Sequence, residues 1–358
     1  MSAEQAPAAT EPVAPAAQAS SLGASAEVST PPETPLTKLT ARLPEIVKKA
    51  DYSEMWGVEL SPDGAHAPTQ VILVKFLRAN NSDVAAAEKQ LVSALEWRKK
   101  IQPASLVTET FDKAKFGDLG FVTVHKGESE DVKETVITWN IYGAVKDNKA
   151  TFGNVEEFIR WRAALMELGV QKLRLNDIKE PLAEDAPDIH QMLQVHDYQS
   201  VSFFRMDPAV KAASKETIET FSMAYPELLA HKYFVNVPAI MGWMFGVMKL
   251  FLAPATLRKF HPMTSGTTLA TELKGITASL PKEYGGQGPS VKEGETVKLA
   301  ELAPKVEDKE DAAPASEPDS KAVETKEEPA VPAVVEKSPA TEAETKVADE
   351  AAKKEIAA

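Results

Sequence analysis

The sequence predicts an α/β fold in which crossover helices flank a sheet, preceded by a small all-helical N-terminal domain. Strand and helix patterns alternate from about residue 120 to residue 237, which is typical of an α/β sheet. Residues 39–100 carry helical patterns alone. The 358 residues, 43% of them hydrophobic, are enough for one large core with appendages.

Both ends of the chain are predicted to be disordered. They consist mainly of Ala, Pro, Ser, Glu and Lys with almost no aromatic residues, a composition that cannot bury enough apolar surface to fold. We therefore expect a disordered tail over residues 1–35, a helical domain over 36–105, an α/β domain over 106–290 and a disordered acidic tail over 291–358.

Most of the negative charge lies in these tails. Residues 301–358 hold 16 acidic and 8 basic side chains, and residues 1–30 hold 3 acidic and no basic ones, so together they account for −11 of the formal net charge of −13. The rest of the chain is nearly neutral. The acidic balance argues against a nucleic-acid partner and indicates nothing about the function of the folded part.

The absence of cysteine excludes disulfides, thiolate metal sites and cysteine nucleophiles, and it fits a reducing compartment. No signal-peptide pattern is present at the N-terminus. The longest apolar segment, Val237–Met248, is interrupted by Pro238 and followed by Lys249, so it is too short to span a bilayer. We expect a soluble protein whose contact with membranes is peripheral.

The helical domain comes first along the chain. Leu39–Tyr52 reads as one short helix, and Thr69–Lys100 carries two helical patterns separated by a turn at Asn80 and Asn81. Asp83 can cap the second of these helices, because its carboxylate can accept a hydrogen bond from a free N–H of the first turn.

The α/β domain follows. Its predicted elements are strands at Gly120–Val124 and Thr135–Tyr142, a helix from Asn154 to about Leu173, a strand ending at His196 and Tyr198, a helix over 207–223 and a strand at Lys232–Val237. Alternation in the second strand places Tyr142 on its more polar side. Asp207 and Pro208 supply a cap and a proline at the first helical position.

His196 and Tyr198 are the most informative residues of the chain. They lie two positions apart in the stretch QVHDYQS, so both side chains leave the same face of the strand, which we interpret as the wall of a pocket. An imidazole beside a phenol in an apolar pocket is either an ordinary hydrogen-bonded pair or an iron site. The spacing alone does not separate these two interpretations.

Arg162 is anomalous within its predicted helix. It emerges from the apolar stripe that should face the sheet, because its neighbours one turn away are Phe158, Ile159, Leu165 and Met166. A buried charge needs a partner. Arg162 either snorkels or pairs with a carboxylate such as Asp197, or it meets an anion inside the pocket: a phenolate, a propionate or a phosphate.

The predicted helix over residues 239–252 carries Met and aromatic side chains around most of its circumference. One core cannot satisfy all of these side chains at once. The helix is either fully buried or a gate that covers the pocket and dips into a membrane surface during ligand exchange.

Several stretches together are similar to one known family. They are VILVKFLRANNSDVAAAEKQL ending in EWR, AYPELLAHKYFVNVPAIMGWMFGVMKLFL and APATLRKF within residues 224–260, and LPKEYGG at 280–286. In this order, over about residues 40–290, the chain resembles the CRAL-TRIO lipid-binding domain of yeast-type phosphatidylinositol transfer proteins, with that family's helical N-terminal domain. QVHDYQSVS, RWRAALME and PELLAHK are most similar to a fungal branch described as carrying haem.

The resemblance implies a mixed sheet with flanking helices that enclose an apolar pocket, and a protein that exchanges lipid without being an enzyme. Phosphatidylinositol would be held by Glu227 and Lys259. Such a protein would regulate phosphoinositide homeostasis, in the cytoplasm and peripherally on endoplasmic reticulum or microsomal membranes.

The resemblance to the haem-carrying branch implies haem b as a cofactor in the same cavity. Tyr198 would be the axial ligand of the iron, and His196 its neighbour and a possible second ligand. Tyr142, Arg162 and Lys232 would line the porphyrin. A phenolate oxygen is a hard ligand suited to ferric iron, and a nearby cation such as Arg162 would favour the ionised phenol.

A haem enzyme of the peroxidase or catalase type is the alternative, because tyrosinate ligation alone would permit one. Against it, the sequence indicates no distal histidine with a partnering arginine. It also contains no Gly-rich phosphate loop, no H-E-x-x-H and no G-x-S-x-G, so no catalytic residue is assigned.

Overall fold

The computed structural model of the chain describes residues 33–126, 134–201, 207–238 and 258–302. Within these ranges the α-helices are α1 (Pro35–Ala50), α2 (Ala67–Ala79), α3 (Val84–Ile101), α4 (Pro103–Leu106), α5 (Lys113–Phe116), α6 (Asn148–Phe152), α7 (Val155–Lys172), α8 (Pro208–Ala224) and α9 (Leu269–Glu272). The strands are β1 (Glu54–Met55), β2 (Val58–Glu59), β3 (Thr110–Asp112), β4 (Gly120–Lys126), β5 (Glu134–Ile141), β6 (Met192–Asp197), β7 (Leu229–Val235), β8 (Phe260–Pro262) and β9 (Lys298–Ala300).

The first three helices form the helical domain predicted ahead of the sheet. α1 begins four residues before the predicted start at Leu39, because Thr34 caps it. The backbone N–H of Thr37 donates to the Thr34 hydroxyl, and the Thr34 N–H donates to the Thr37 hydroxyl. α3 begins directly after Asp83, whose carboxylate accepts a hydrogen bond from the N–H of Ala86, as predicted.

The main sheet has five strands in the order β4, β5, β6, β7, β8. β4 and β5 are antiparallel, whereas β5 to β8 are parallel to one another, which confirms the mixed α/β sheet. α7 lies in the connection from β5 to β6, and α8 lies in the connection from β6 to β7. Crossover helices of this kind are what parallel neighbouring strands require.

The two faces of this sheet differ in chemistry because successive residues of a strand point to opposite sides. One face is apolar and packs against the segment from residue 269 to residue 291; its members include Ile137, Trp139, Leu193, Val195 and Tyr233. The other face, which we call the site face, is turned towards α7. Its members include Thr138, Asn140, Gln194, His196, Lys232 and Phe234.

Several strand ends differ from the prediction by one to three residues. β5 ends at Ile141, and Tyr142 opens a single 3₁₀ turn that ends at Ala144. β7 covers Leu229–Val235 and so begins three residues before the predicted strand. Its first three residues, Leu229, Ala230 and His231, are half-buried and differ in character, so they form no apolar run that would signal a strand.

The folded part extends beyond the predicted boundary at residue 290. Residues 291–302 are part of the fold, so the predicted tail is wrong over this stretch. β9 pairs in parallel with β3, Val297 is 2% exposed, and Glu295 exchanges backbone hydrogen bonds with Val122. The composition of the long acidic segment as a whole predicts disorder, because the few residues that anchor its first part to the fold are too few to change the average.

Truncation should test this boundary. A chain ending after Leu302 should unfold like the full-length protein. A chain ending after residue 290 should lose roughly 3–6 kcal/mol of unfolding free energy, since burial of a valine contributes about 1.5–3 kcal/mol and both Val291 and Val297 are removed. Urea unfolding followed by tryptophan fluorescence measures the difference. Equal midpoints for the two truncated chains would show that residues 291–302 do not stabilise the fold.

A buried ion cluster joins the helical domain to the α/β domain. The fully buried guanidinium of Arg98, on α3, donates to Glu54 at 2.8 Å and to Glu167, on α7, at 2.6 Å. The hydroxyl of Tyr225 donates to the same Glu167 oxygen at 2.7 Å. Burial first, and the charge of Glu167 second, raise the pKa of Tyr225 well above its usual value, so this phenol remains a neutral donor.

Candidate functional site

Three aromatic rings predicted for the site meet where the site face ends. The ring centroid of Tyr142 lies 5.4 Å from that of His196 and 5.5 Å from that of Tyr198. His196 and Tyr198 are 6.5 Å apart. Phe234 of β7 completes the group, 5.8 Å from His196 and 6.4 Å from Tyr198. The structure therefore brings together the pair that the QVHDYQS spacing places on one face, with Tyr142 beside it.

His196 is buried, and within the described part of the chain its Nε2 atom has no hydrogen-bond partner. Burial holds the pKa of this imidazole well below its usual value, and the charges of Lys232 and Arg162 lower it further. The imidazole is therefore neutral. An ordinary hydrogen-bonded core pair would satisfy Nε2, and no described residue does so.

Arg162 points from α7 towards the sheet, as its apolar neighbours predict. It is 2% exposed, and its Nε and Nη1 atoms have no hydrogen-bond partner among the described residues. Its guanidinium carbon lies 5.1 Å from the centroid of the Phe221 ring on α8, a cation–π contact. A fully enclosed guanidinium is not a snorkelling one, because its charged end does not reach water.

Asp197 is not the partner of Arg162, so that pairing is wrong. Its carboxylate accepts hydrogen bonds from Asn236 Nδ2 at 2.7 Å, from the Tyr284 hydroxyl at 2.8 Å and from the N–H of Gln199 at 2.8 Å. The reason is the alternation of the strand: Asp197 follows His196 and therefore points to the opposite side of the sheet.

Lys232 lies on the site face in β7, beside Gln194 of β6. Its ammonium nitrogen is 5.3 Å from the centroid of the Phe234 ring and 5.8 Å from that of Phe260. Lys232 therefore stands over the same aromatic surface that borders His196 and Tyr198. The site thus combines two cations, neutral aromatic groups and an imidazole.

Glu227 and Lys259, predicted to hold the inositol lipid, form an ion pair with an N–O distance of 2.9 Å. Glu227 precedes β7 and Lys259 precedes β8, so the pair lies where two neighbouring parallel strands begin. The two side chains are 28% and 29% exposed. They are therefore accessible to a head group, at the opposite end of the strands from Tyr198.

Lys75 supports the backbone of Glu227, a role that the sequence did not predict. This fully buried lysine of α2 donates to Asp188 at 2.6 Å, to the carbonyl of His190 at 2.8 Å and to the carbonyl of Glu227 at 3.1 Å. Glu227 has a left-handed backbone with φ of 55°, and this bond helps to hold it there. The signal was a single lysine inside the apolar run VILVKFL.

Two predicted features lie outside the described residues. The apolar helix over residues 239–252 is one of them, and most of each predicted tail is the other. Within the described ranges, no helix is both long and apolar enough to cross a bilayer.

The five-stranded mixed sheet, its crossover helices and the helical domain ahead of them define a known class of protein. The sequence model of the CRAL/TRIO domain matches residues 122–286, and that of the CRAL/TRIO N-terminal domain matches residues 35–93. The chain belongs to the CRAL/TRIO family.

Individual relatives make the comparison more specific. A protein named phosphatidylinositol transfer protein sfh5 from Sclerotinia sclerotiorum is 56% identical over 268 residues, which are 75% of this chain and 64% of that protein. Its namesake from Botryotinia fuckeliana is 55% identical over 269 residues, covering 75% of this chain and 60% of the relative. The chain thus spans less than two thirds of the length of these relatives.

A solved structure described as the crystal structure of Sfh5 has the same fold. Its superposition on this chain gives a TM-score of 0.59 with 30% sequence identity, and covers 73% of this chain and 90% of the other.

Proposed function

We propose that this protein binds phosphatidylinositol and exchanges it at membranes, and that it holds haem b in the same cavity. The main observation in support of phosphatidylinositol binding is the Glu227–Lys259 ion pair at the start of two neighbouring strands. Relatives more than 50% identical are named phosphatidylinositol transfer proteins, which supports it. The exchange would take place peripherally on endoplasmic reticulum or microsomal membranes and would contribute to phosphoinositide homeostasis.

The pair suits an inositol phosphate head group. A lysine ammonium is a compact point charge for a phosphate oxygen, and a carboxylate accepts hydrogen bonds from inositol hydroxyls. The two side chains are partly solvent-exposed, so separating them to admit the head group exchanges one modest surface ion pair for stronger contacts with the lipid.

The other end of the site face fits a haem. Tyr198 offers a phenol oxygen, the ligand type used for iron in catalase. Free tyrosine ionises near pH 10, and the iron together with Arg162 and Lys232 would favour the phenolate. The buried atoms of Arg162 and His196 that lack a partner within the described ranges are groups that a polar guest would satisfy. When bound, haem would supply the iron; Tyr142 and Lys232 would border the porphyrin.

The alternative of a peroxidase or catalase type of enzyme gains no support from the comparisons. The relatives are named as transfer proteins. Nothing in the described geometry favours that alternative over a carrier.

Substitution of the ion pair tests the proposed lipid function. Glu227→Gln and Lys259→Ala should each lower phosphatidylinositol transfer between vesicles by roughly 10- to 100-fold, because each removes a charge-assisted contact of about 1.5–3 kcal/mol. The absorbance spectrum of the protein should stay unchanged, since the rings at the far end of the site face are untouched.

The chain offers a matched control. Lys115 and Glu157 form an ion pair at 2.7 Å whose side chains are 31% and 29% exposed, close to the values for Lys259 and Glu227. Lys115→Ala and Glu157→Gln should leave transfer intact. Equal losses in both sets of variants would contradict a head-group role for Glu227 and Lys259.

A further inference from the structure

Asn140 is a buried polar residue of the site face with no role assigned so far. It is fully buried in β5, and neither its side-chain nitrogen nor its side-chain oxygen has a hydrogen-bond partner within the described part of the chain. Its register partner in β6 is His196. Both residues point to the same side of the sheet, so the amide lies beside the imidazole.

The packing of α7 on the sheet places Arg162 over this pair. Gly169 of α7 lies against Thr138 and Met192 of the sheet, because a Cβ atom added to it would be 2.7 Å from the Thr138 side chain and 3.1 Å from that of Met192. Met166 of the same helix lies against Gln194, whose side-chain amide donates to the Met166 sulfur at 3.7 Å. Moving back one helical turn from Met166 leads to Arg162. Because a turn rises about 5.4 Å and two strand residues about 6.6 Å, Arg162 comes level with His196, the next site-face residue of β6.

Asn140, Arg162 and His196 therefore form one group, and each has at least one buried polar atom without a partner among the described residues. Buried polar atoms in folded proteins are almost always hydrogen-bonded, and leaving three neighbouring side chains unsatisfied is unfavourable. We call this group of buried polar side chains the polar recess.

The donors of this recess specify the guest's chemistry. Arg162 offers N–H groups at Nε and Nη1, and Asn140 offers its amide N–H groups, so N–H donors next to a fixed positive charge outnumber the one amide oxygen that also lacks a partner among the described residues. Asp197, the nearest carboxylate in sequence, points away from it. Such a recess fits an anionic oxygen pair. In the proposed function, the lipid phosphate is bound by Lys259, at the other end of the strands. The anion that remains for the recess is the carboxylate of a haem propionate.

We propose that Asn140 is a binding residue of this site, and that its amide donates, together with Arg162, to a propionate carboxylate of the haem. This inference rests on the proposed haem function. It adds to that function a residue that selects for the free carboxylate of the porphyrin.

Asn140→Leu separates a binding role from a structural one, because the two roles predict opposite effects. In the haem-free protein, the melting temperature should stay the same or rise, since the substitution removes a buried amide that none of the described residues satisfies. Affinity for haemin, measured by absorbance titration, should fall at least ~10-fold, the usual effect of losing one hydrogen bond to a charged group. Asn140→Ala should show the same loss if leucine proves too large to fold.

A second ligand and a neighbouring variant sharpen the test. Haemin dimethyl ester lacks the free carboxylates, so wild type and Asn140→Leu should bind it equally well. Thr138→Val changes another fully buried residue of the same strand and face, and its affinity for haemin should equal that of wild type.

Three results would overturn the inference while leaving haem binding in place. The first is wild-type affinity for haemin in Asn140→Leu. The second is a lowered melting temperature with equal losses for haemin and its ester, which would mark Asn140 as structural. The third is a loss of phosphatidylinositol transfer with haemin affinity intact, which would assign the recess to the phosphate. Failure of the wild-type protein itself to bind haemin would refute the proposed haem function, and this inference with it.

Discussion

Tyr198→Phe should remove or strongly shift the Soret absorbance band of protein purified from iron-replete cells, and should lower haemin affinity at least ~100-fold. The substitution deletes one oxygen atom and keeps the ring that stacks on Phe234 with centroids 6.4 Å apart. Packing is thereby preserved, so the loss reports on the phenol oxygen. Removing groups that merely support a metal ligand costs 10- to 100-fold, and removing the ligand itself should cost more.

Tyr142→Phe is the matched control for this experiment. Its ring lies 5.5 Å from that of Tyr198, and it is predicted to line the porphyrin without binding the iron. The variant should keep the Soret band near its wild-type position. Both variants should keep wild-type phosphatidylinositol transfer, because Glu227 and Lys259 are unchanged. An unaltered spectrum in Tyr198→Phe would exclude Tyr198 as the ligand, and loss of colour in His196→Phe alone would transfer that role to His196.

Arg98→Met should lower the free energy of unfolding by about 3–5 kcal/mol, the usual effect of removing one member of a buried ion pair. Glu167 is buried with it and would keep a charge that has lost its cation. Its remaining neutral partner, the hydroxyl of Tyr225, cannot compensate for that charge. Urea unfolding at neutral pH measures the change.

Two further variants show whether the effect belongs to the buried pair. Arg98→Met combined with Glu167→Gln should recover part of the loss, because the fully buried carboxylate is then neutral, while Glu54, which is 23% exposed, keeps its charge. Arg42→Met removes the more exposed partner of Glu88 and should cost less than about 1 kcal/mol. If Arg98→Met and Arg42→Met destabilise equally, the ion cluster does not hold the two domains together.

Local sequence signals predicted most of the fold. The cap at Asp83, the Asp207–Pro208 helix start and the alternation of strands with helices all correspond to observed elements. These signals act within a few residues, so a single sequence displays them. β9 was missed because its partner, β3, lies nearly two hundred residues away and three residues carry no periodic pattern.

Local periodicity also predicted part of the candidate site. The period of two in a strand placed His196 and Tyr198 together, and the period of a helix pointed Arg162 at the sheet. The same period, applied one residue further, would have excluded Asp197 as the partner of Arg162. Which residues meet across the sheet depends on register between strands, and only the structure showed that Asn140 stands beside His196.

The bonds of Lys75 have a consequence for engineering. A fragment that starts at residue 106 would lack Lys75, which donates hydrogen bonds to Asp188 and to the carbonyls of His190 and Glu227. Grafting only the lipid-holding half onto another scaffold should therefore misplace Glu227, and chimaeras between relatives should exchange the second helix together with the loop before the seventh strand.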